Sequence, residues 1–387
     1  MDALVLGRGV SGKAAEKLLC RSGFSTRILS DDEPFPEGEF ARVVSSPGIA
    51  PTHPWLVEAR RRGFVVMSEL QLGCEELRRR NVRLLGVTGS KGKSSVVKVV
   101  AEGLALAGRR AVACGNYGRP VSDVALEDAC DWAVVEVSSF MLETTTLASD
   151  AFEAVAILNL QDDHLDRHGS REAYHALKRR LLAFAKKGLD FSTARCGVAD
   201  REFLDDTYFD NEILATNGAA AIGLMRAAGL GAAAIRRAFA AFEPLPHRMN
   251  LVIERGGVRY VDDSKATSIA ALAAALRMCA PRPVRLIAGG MPKGDNPKIA
   301  LADLTKGTKK VYLIGQSAEM FAAAWGAYVD CEICGTLPRA VAAAKREAEK
   351  GETVLLSPGT ASFDQFQGFG QRGDVFVALV KKEGQRE

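Results

Sequence analysis

The segment Leu84-Leu85-Gly86-Val87-Thr88-Gly89-Ser90-Lys91-Gly92-Lys93-Ser94-Ser95 carries the side chains with the clearest chemistry. A short apolar run leads into a glycine-rich turn, and Gly92-Lys93-Ser94 then opens a helical pattern. That order builds an anion cradle, because backbone N–H groups of the turn and of the helix N-terminus converge on one point. In such a cradle Lys93 reaches the β- and γ-phosphates and the Ser94 hydroxyl holds Mg²⁺. Gly89, Ser90, Lys91, Gly92, Lys93, Ser94 and Ser95 are therefore expected to bind a nucleoside triphosphate. The strict pattern G-x-x-x-x-G-K-[ST] is not fully met, since Val87 stands in place of its first glycine.

Other polar clusters fall where strands should end. Gly7-Arg8-Gly9-Val10-Ser11-Gly12 is a G-x-G-x-x-G turn, and Asp31 and Asp32 follow about 20 residues on, where a ribose-binding acid belongs. Alone, this turn suits a nicotinamide or flavin dehydrogenase; the diphosphate of another nucleotide, or simple helix–strand packing, suits it too. Glu136-Val137-Ser138-Ser139-Phe140 follows a buried strand, and a carboxylate at that end can hold Mg²⁺ directly or through water. Asn159 to His168 gathers Asp163, His164 and Asp166 in one loop. His164 could coordinate a hard cation or orient a phosphate, although Asn and Asp also serve as helix caps. Lys178 lies four residues after Tyr174, on the same helix face. A lone helical lysine is ordinarily solvated.

In the last third, His247-Arg248 follows Pro244-Leu245-Pro246, and an arginine there could reach back to a nucleotide. Asp262-Asp263-Ser264-Lys265-Ala266-Thr267, Gly289-Gly290-Met291-Pro292-Lys293 and Ser357-Pro358-Gly359-Thr360-Ala361-Ser362-Phe363-Asp364 each follow an apolar run. Three polar strand ends in one parallel sheet predict a substrate site.

The elements that must position these residues alternate between strand and helix, which predicts an α/β protein. Strands are expected at Ala3–Leu6, Arg42–Ser45 and Phe64–Met67, and again at Val82–Val87, Ala111–Cys114, Trp132–Val137 and Ala154–Asn159. A helix is expected around Tyr174–Phe184, a poorly patterned stretch over Lys186–Asn211, and two helices within Ala215–Phe242. A third set of strands follows from Leu251 to Leu356. At 387 residues the chain predicts two or three domains, here 1–80, 81–243 and 244–387. The net charge of +4 is small and scattered, which gives no footprint for nucleic acid. Neither a leader pattern nor a membrane-length apolar run is present, which predicts a cytoplasmic protein. Eight dispersed cysteines argue against a disulfide framework, and Cys331-Glu332-Ile333-Cys334 lacks a second pair at zinc spacing.

Together these residues resemble the Mur ligase family of peptidoglycan synthesis. The resemblance covers nearly the whole chain. It rests on Ser46-Pro47-Gly48-Ile49, Thr88 to Ser95, Gly115-Asn116-Tyr117-Gly118, Glu136 to Phe140, Asp163-His164-Leu165-Asp166-Arg167-His168, Leu245 to Arg248, Asp263 to Thr267, and Ser362-Phe363-Asp364-Gln365-Phe366. It implies three domains: an N-terminal Rossmann-like nucleotide-sugar-binding unit, a central P-loop ATPase-like parallel sheet and a C-terminal Rossmann-like domain. It also implies a monomer that binds neither nucleic acid nor membrane. The implied chemistry is phosphorylation by ATP of the carboxylate of UDP-N-acetylmuramoyl-L-alanine, followed by attack of the D-glutamate amine on the acyl phosphate. Phosphoryl transfer depends mainly on positioning and charge neutralisation. By resemblance, Lys93 and two Mg²⁺ ions supply that charge, with Ser94 and Glu136 on the first ion and His164 and a carbamylated Lys178 on the second. Ser11, Asp31, Asp32, Ser46 and Gly48 match uridine-diphosphate positions, and Asn116, Ser138 and His164 match the acyl arm. Thr267, Lys293, Ser362, Phe363 and Phe369 match D-glutamate positions; Asn217, Arg248, Asp263 and Lys265 match the nucleotide side.

The chain also departs from the family pattern. Lys186 to Asn211 looks shortened, and Ile213 and Leu214 replace a usual His-Asn pair before Asn217. Met141 stands where Gln is common and Lys91 where Asn is common. Three other readings stay open on the sequence: a family member adding a different amino acid, a nucleotide-sugar-binding regulator with reduced ATP use, and a dehydrogenase built on the first glycine turn.

Overall fold

The fold is built from continuous apolar runs that become strands buried on both faces, the pattern of parallel sheets covered by helices. It is seen in a computed structural model that describes residues 1–30, 33–127, 130–161, 163–193, 197–211 and 213–382. The chain divides into two units, Met1–Phe242 and Glu243–Glu387.

The first unit contains two sheets. β1 (Asp2–Leu6), β2 (Ser25–Leu29), β3 (Arg42–Ser45) and β4 (Val66–Ser68) pair in the order β2-β1-β3-β4, all parallel. β5 (Arg83–Thr88), β6 (Ala111–Gly115), β7 (Trp132–Glu136), β8 (Ala154–Ile157) and β9 (Gly188–Asp190) pair in the order β6-β7-β5-β8-β9, also all parallel. Every residue of β7 is buried. The register sets Val87 beside Glu136 and Thr88 beside Ile157, so the loops leaving β5, β7 and β8 emerge side by side.

The second unit holds one sheet. β10 (Asn250–Arg255), β11 (Val258–Asp262), β12 (Val284–Gly289), β13 (Thr308–Ile314), β14 (Cys331–Gly335) and β15 (Thr353–Leu356) pair in the order β10-β11-β15-β12-β13-β14. Only β10 among them is antiparallel. The three strands that precede the polar clusters, β11, β15 and β12, are neighbours.

Several elements differ from the sequence expectation. β2 alternates exposed and half-buried residues at the sheet edge, so it lacks the apolar run that marks its neighbours. β9 and the short helix Val198–Arg201 lie inside the stretch with no clear pattern. The helix expected over Tyr174–Phe184 runs from Arg171 to Arg179 and then tightens into a 3₁₀ segment, Arg180–Phe184. A closing helix, Phe369–Lys381, was not expected. The seven described cysteines are all unpaired.

One buried acid joins the two sheets of the first unit. Ser68 caps the helix Glu69–Arg79 by accepting from Gln71 N at 2.9 Å. Glu69 itself accepts from Ser122 N at 2.7 Å, in the first turn of Val121–Ala125. Its other oxygen, Oε2, is buried with no hydrogen-bond partner among the described residues. Burial pushes the Glu69 carboxyl up to about 7, against the opposing effect of the Ser122 hydrogen bonds. Between about 4.5 and about 7 the folded state therefore holds more protons than the unfolded chain, and this group's stabilisation declines as pH rises through that window. Glu69→Gln is expected to flatten that part of the stability curve in urea melts taken across the window. An unchanged slope would count against it.

Candidate active site

The loop between β5 and the helix Lys93–Leu106 has glycine where a side chain has no room. Gly92 has φ +88°, and a Cβ there would sit 2.3 Å from Asn217 Nδ2. Gly89 has φ +148°, and a Cβ there would sit 3.1 Å from Leu158 Cβ. Asn217 is buried behind the loop. The loop is also fastened to the end of β8. Ser90 N donates to Asn159 O at 2.9 Å, and the Asn159 side chain clips both backbone groups of Lys91, at 2.8 and 2.9 Å. Lys91 Nζ pairs with Asp163 at 3.5 Å. Lys93 Nζ folds over the turn and donates to Gly89 O at 2.9 Å and Ser90 O at 3.3 Å. Ser94 is half-buried and Ser95 buried in the first helical turn.

Glu136, the last residue of β7, is 2% exposed. Its Oε1 accepts from Asn116 Nδ2 at 2.8 Å, while Oε2 is buried without a partner among the described residues. A buried carboxylate oxygen with no donor is costly, and a bound cation or water would offset that cost. Among the described residues no group of three His, Cys, Asp or Glu forms a closed metal cage. Mg²⁺ ordinarily takes one or two carboxylates and completes its shell with water and phosphate oxygens.

Lys178 is not the solvated lysine its helix position suggests. The helix Arg171–Arg179, capped by Ser170, carries it to 2% exposure, with Nζ donating to Gly89 O at 3.1 Å. Burial, then the nearby Lys93 charge, lowers its ammonium to about 7; Asp163 and Glu136 act in the opposite sense. Tyr174, on the same face, reaches Ser90 Oγ at 3.1 Å. His164 is half exposed and adopts φ +53° at the start of the one-turn helix Leu165–His168. Its Nε2 lies 3.8 Å from Asp163 Oδ1, and its ring 4.8 Å from the Phe140 ring.

A cleft of about 1020 Å³ opens at the ends of the first sheet. Ser11, Ser46, Gly48 and Asn116 all line it, and so does Met141, for which no contact role was expected. Asp31 and Asp32 lie outside the described residues. Ser138 is not among the lining residues; its hydroxyl accepts from Met141 N at 3.3 Å as a helix cap.

In the second unit, Met291 and Ala361 exchange backbone hydrogen bonds at 2.9 and 3.1 Å, joining two of the three polar loops. Arg372 joins the third. Its fully buried guanidinium donates to Ser264 Oγ (3.0 Å), Ser264 O (2.9 Å), Thr360 O (3.2 Å) and Ala361 O (3.2 Å). An arginine inside a mostly apolar helix was the signal for it in the sequence. Asp263 is buried and accepts from Ser357 Oγ at 2.9 Å; burial pushes its carboxyl up to about 7. Lys265 Nζ sits 3.8 Å over the Phe369 ring. Ser362 is buried, Thr267 half-buried, and Lys293 and Phe363 exposed. Arg248 lies between His247 and Met249, both at positive φ, with its N donating to Asn250 Oδ1 at 2.8 Å.

Comparison with known proteins covers both units. A profile described as "Mur ligase middle domain" matches residues 87–201, and one described as "Mur ligase, glutamate ligase domain" matches residues 247–359. UDP-N-acetylmuramoylalanine--D-glutamate ligase from Nitratidesulfovibrio vulgaris is 35% identical over 421 residues, covering 98% of this chain and 96% of that one. The Frankia casuarinae protein of the same name is 36% identical, covering 99% and 95%. The Chlamydia caviae protein is 32% identical, covering 97% of each. Among solved structures, UDP-N-acetylmuramate-alanine ligase from Thermotoga maritima aligns with a TM-score of 0.60 at 14% identity, over 98% of this chain and 99% of that one. MurF from Acinetobacter baumannii gives 0.60 at 16% identity over 82% of each. At these identities the structural likeness concerns the fold.

Proposed function

The chain belongs to the Mur ligase family, and from that premise we propose that it joins D-glutamate to UDP-N-acetylmuramoyl-L-alanine at the expense of ATP, a step of peptidoglycan precursor synthesis. The observation that carries this reading is the 32–36% identity, over 97–99% of the chain, to relatives that share one enzyme name. The site geometry agrees with a phosphoryl-transfer step. The glycine turn cradles the triphosphate of ATP, and Lys93 leaves the carbonyls of Gly89 and Ser90 to meet its terminal phosphates. Ser94 and Glu136 are the residues for one Mg²⁺; His164 and a carbamylated Lys178 are the residues for a second. Bound Mg²⁺ supplies charge neutralisation at the transferring phosphoryl group. Lys178 acquires its carbamate when the neutral Nζ amine adds to the carbon of CO₂ and releases a proton.

Ser11, Ser46 and Gly48 take the uridine diphosphate in the cleft, with Asn116 and Ser138 toward the acyl arm. In the second unit Thr267, Lys293, Ser362, Phe363 and Phe369 take D-glutamate, and Arg248, Asp263 and Lys265 attend the nucleotide. No described helix is long and apolar enough to cross a membrane; the proposed setting is a cytoplasmic monomer.

The test is phosphate release from ATP in the presence of UDP-N-acetylmuramoyl-L-alanine, with and without D-glutamate, then with L-alanine, glycine or diaminopimelate instead. Release that requires D-glutamate is expected. Release supported equally without it overturns the reading, and dependence on another of these amino acids moves the chain elsewhere within the family.

A further inference from the structure

Arg167 sits in the segment that carries His164, yet its side chain is engaged by residues of other segments. Its guanidinium donates to three successive backbone carbonyls of another segment: Pro47 O at 2.9 Å, Gly48 O at 3.2 Å and Ile49 O at 3.0 Å. Nε and Nη2, the latter shared with Pro47 O and Ile49 O, form a two-pronged pair with Glu143, at 3.0 and 2.5 Å, and its plane covers the Phe140 ring at 4.0 Å. Arg167 and Glu143 side chains are only 14% and 8% exposed. The charge is thus neutralised locally, and the carbonyl contacts fix position.

Both ends of this fork lead to a site. Gly48 lines the large cleft. At the other end, Arg167 N donates to His164 O at 3.1 Å and so helps hold His164 at its positive φ, a conformation unfavourable for a residue with a Cβ. His168 adds a second anchor through Ser139 Oγ at 3.0 Å and Glu143 at 3.5 Å. Phe140, beneath Arg167, also touches the His164 ring and precedes Met141 in the cleft wall. A planar guanidinium can present donors to both the carbonyls and the carboxylate at once; a lysine makes a single-point contact.

We propose that Arg167 is a positioning residue that couples occupancy of the nucleotide cleft to placement of His164 in the phosphoryl-transfer site. The inference rests on the function proposed above. A ligand that fixes the Ser46–Ile49 loop then fixes His164 through the fork, and the coupling is reciprocal because it is a free energy shared by two binding events.

The experiment measures UDP binding by calorimetry, with and without Mg²⁺ plus a non-hydrolysable ATP analogue, in the wild type and in Arg167→Lys. In the wild type the analogue is expected to change UDP affinity by about fivefold or more. In Arg167→Lys that factor falls toward one, while affinity for the analogue alone stays within about twofold, since the Arg167 guanidinium is held by Glu143 and the Pro47–Ile49 carbonyls. Steady-state kinetics should show kcat reduced with KM for ATP little changed. Retention of both the coupling factor and kcat in a folded Arg167→Lys protein overturns the proposal. If that variant does not fold, Glu143→Gln, which breaks the other arm of the fork, decides it: undiminished coupling there overturns it equally. Failure of UDP to bind the wild type removes the cleft assignment, and the proposal with it. UDP binding without coupling removes the proposal alone.

Discussion

Lys178→Ala abolishes ligation, and formate or acetate added to the assay restores part of it. The expectation follows from an imbalance of charge around one carbonyl. Lys93 and Lys178 both donate to Gly89 O, at 2.9 and 3.1 Å, and Lys178 is almost fully buried. Two ammonium groups converging on a single acceptor repel each other, and burial penalises the inner one further. The carbamate proposed on Nζ would replace that repulsion with attraction and give the site the anionic oxygens a metal ion needs. Alanine removes those oxygens and leaves a space that a small carboxylate can occupy. The loss should be at least about 10²–10³-fold in kcat, the scale of deleting one electrostatic stabiliser from a closed site. Depleting dissolved CO₂ should lower wild-type activity reversibly, and bicarbonate enriched in ¹³C should give a carbamate signal that the variant lacks. Activity unchanged in Lys178→Ala, or an absent signal in the active enzyme, removes the carbamate.

The site candidates most legible in the sequence are those that depend on local pattern. The phosphate loop follows from the order strand, glycine turn and helix, and Glu136 follows from its place at the end of an apolar run; neither needs knowledge of distant contacts. Ser11, Ser46, Gly48 and Asn116 come together at one cleft because Ser46, Gly48 and Asn116 lie just beyond the ends of parallel strands and Ser11 opens the helix that follows another. Lys178 was legible only through family resemblance, since its spacing predicts a solvated helix face and its burial comes from contact with Gly89, far away in the chain. Arg372 escaped for the same reason: its partners Ser264 and Thr360 are brought to it by separate strands. Asn159 reads as a cap in isolation, and its clip on Lys91 exists only because β8 pairs with β5. That clip also accounts for the backbone of Lys91, while its ammonium answers Asp163. The edge strands β2 and β9 were missed because a strand buried on one side lacks the apolar run used to recognise the central ones.

Glu136→Gln should raise the stability of the metal-free protein while it removes most of its activity. The carboxylate is 2% exposed and Asn116 is its one hydrogen-bond partner among the described residues, so without a cation its second oxygen bears the full cost of desolvation. Glutamine keeps an oxygen for Asn116 Nδ2 and introduces no charge, which should add about 1 kcal/mol to unfolding free energy in metal-free buffer. The same change deletes the anionic ligand proposed for Mg²⁺, and kcat should fall by about 10²-fold or more. Mg²⁺ separates these effects. Binding to the folded state alone stabilises it by about 2.7 kcal/mol at a concentration of 100 times Kd. Thermal melts with ADP should therefore show a midpoint that rises with Mg²⁺ in the wild type and barely moves in the variant. The two curves should cross: the variant is the more stable protein without metal and the less stable one with it. Parallel curves would mean that Glu136 holds no metal and that its unpaired oxygen serves some other end. A variant less stable at every Mg²⁺ concentration would mean that the carboxylate is satisfied within the fold, and the metal assignment at β7 would lose the observation on which it stands.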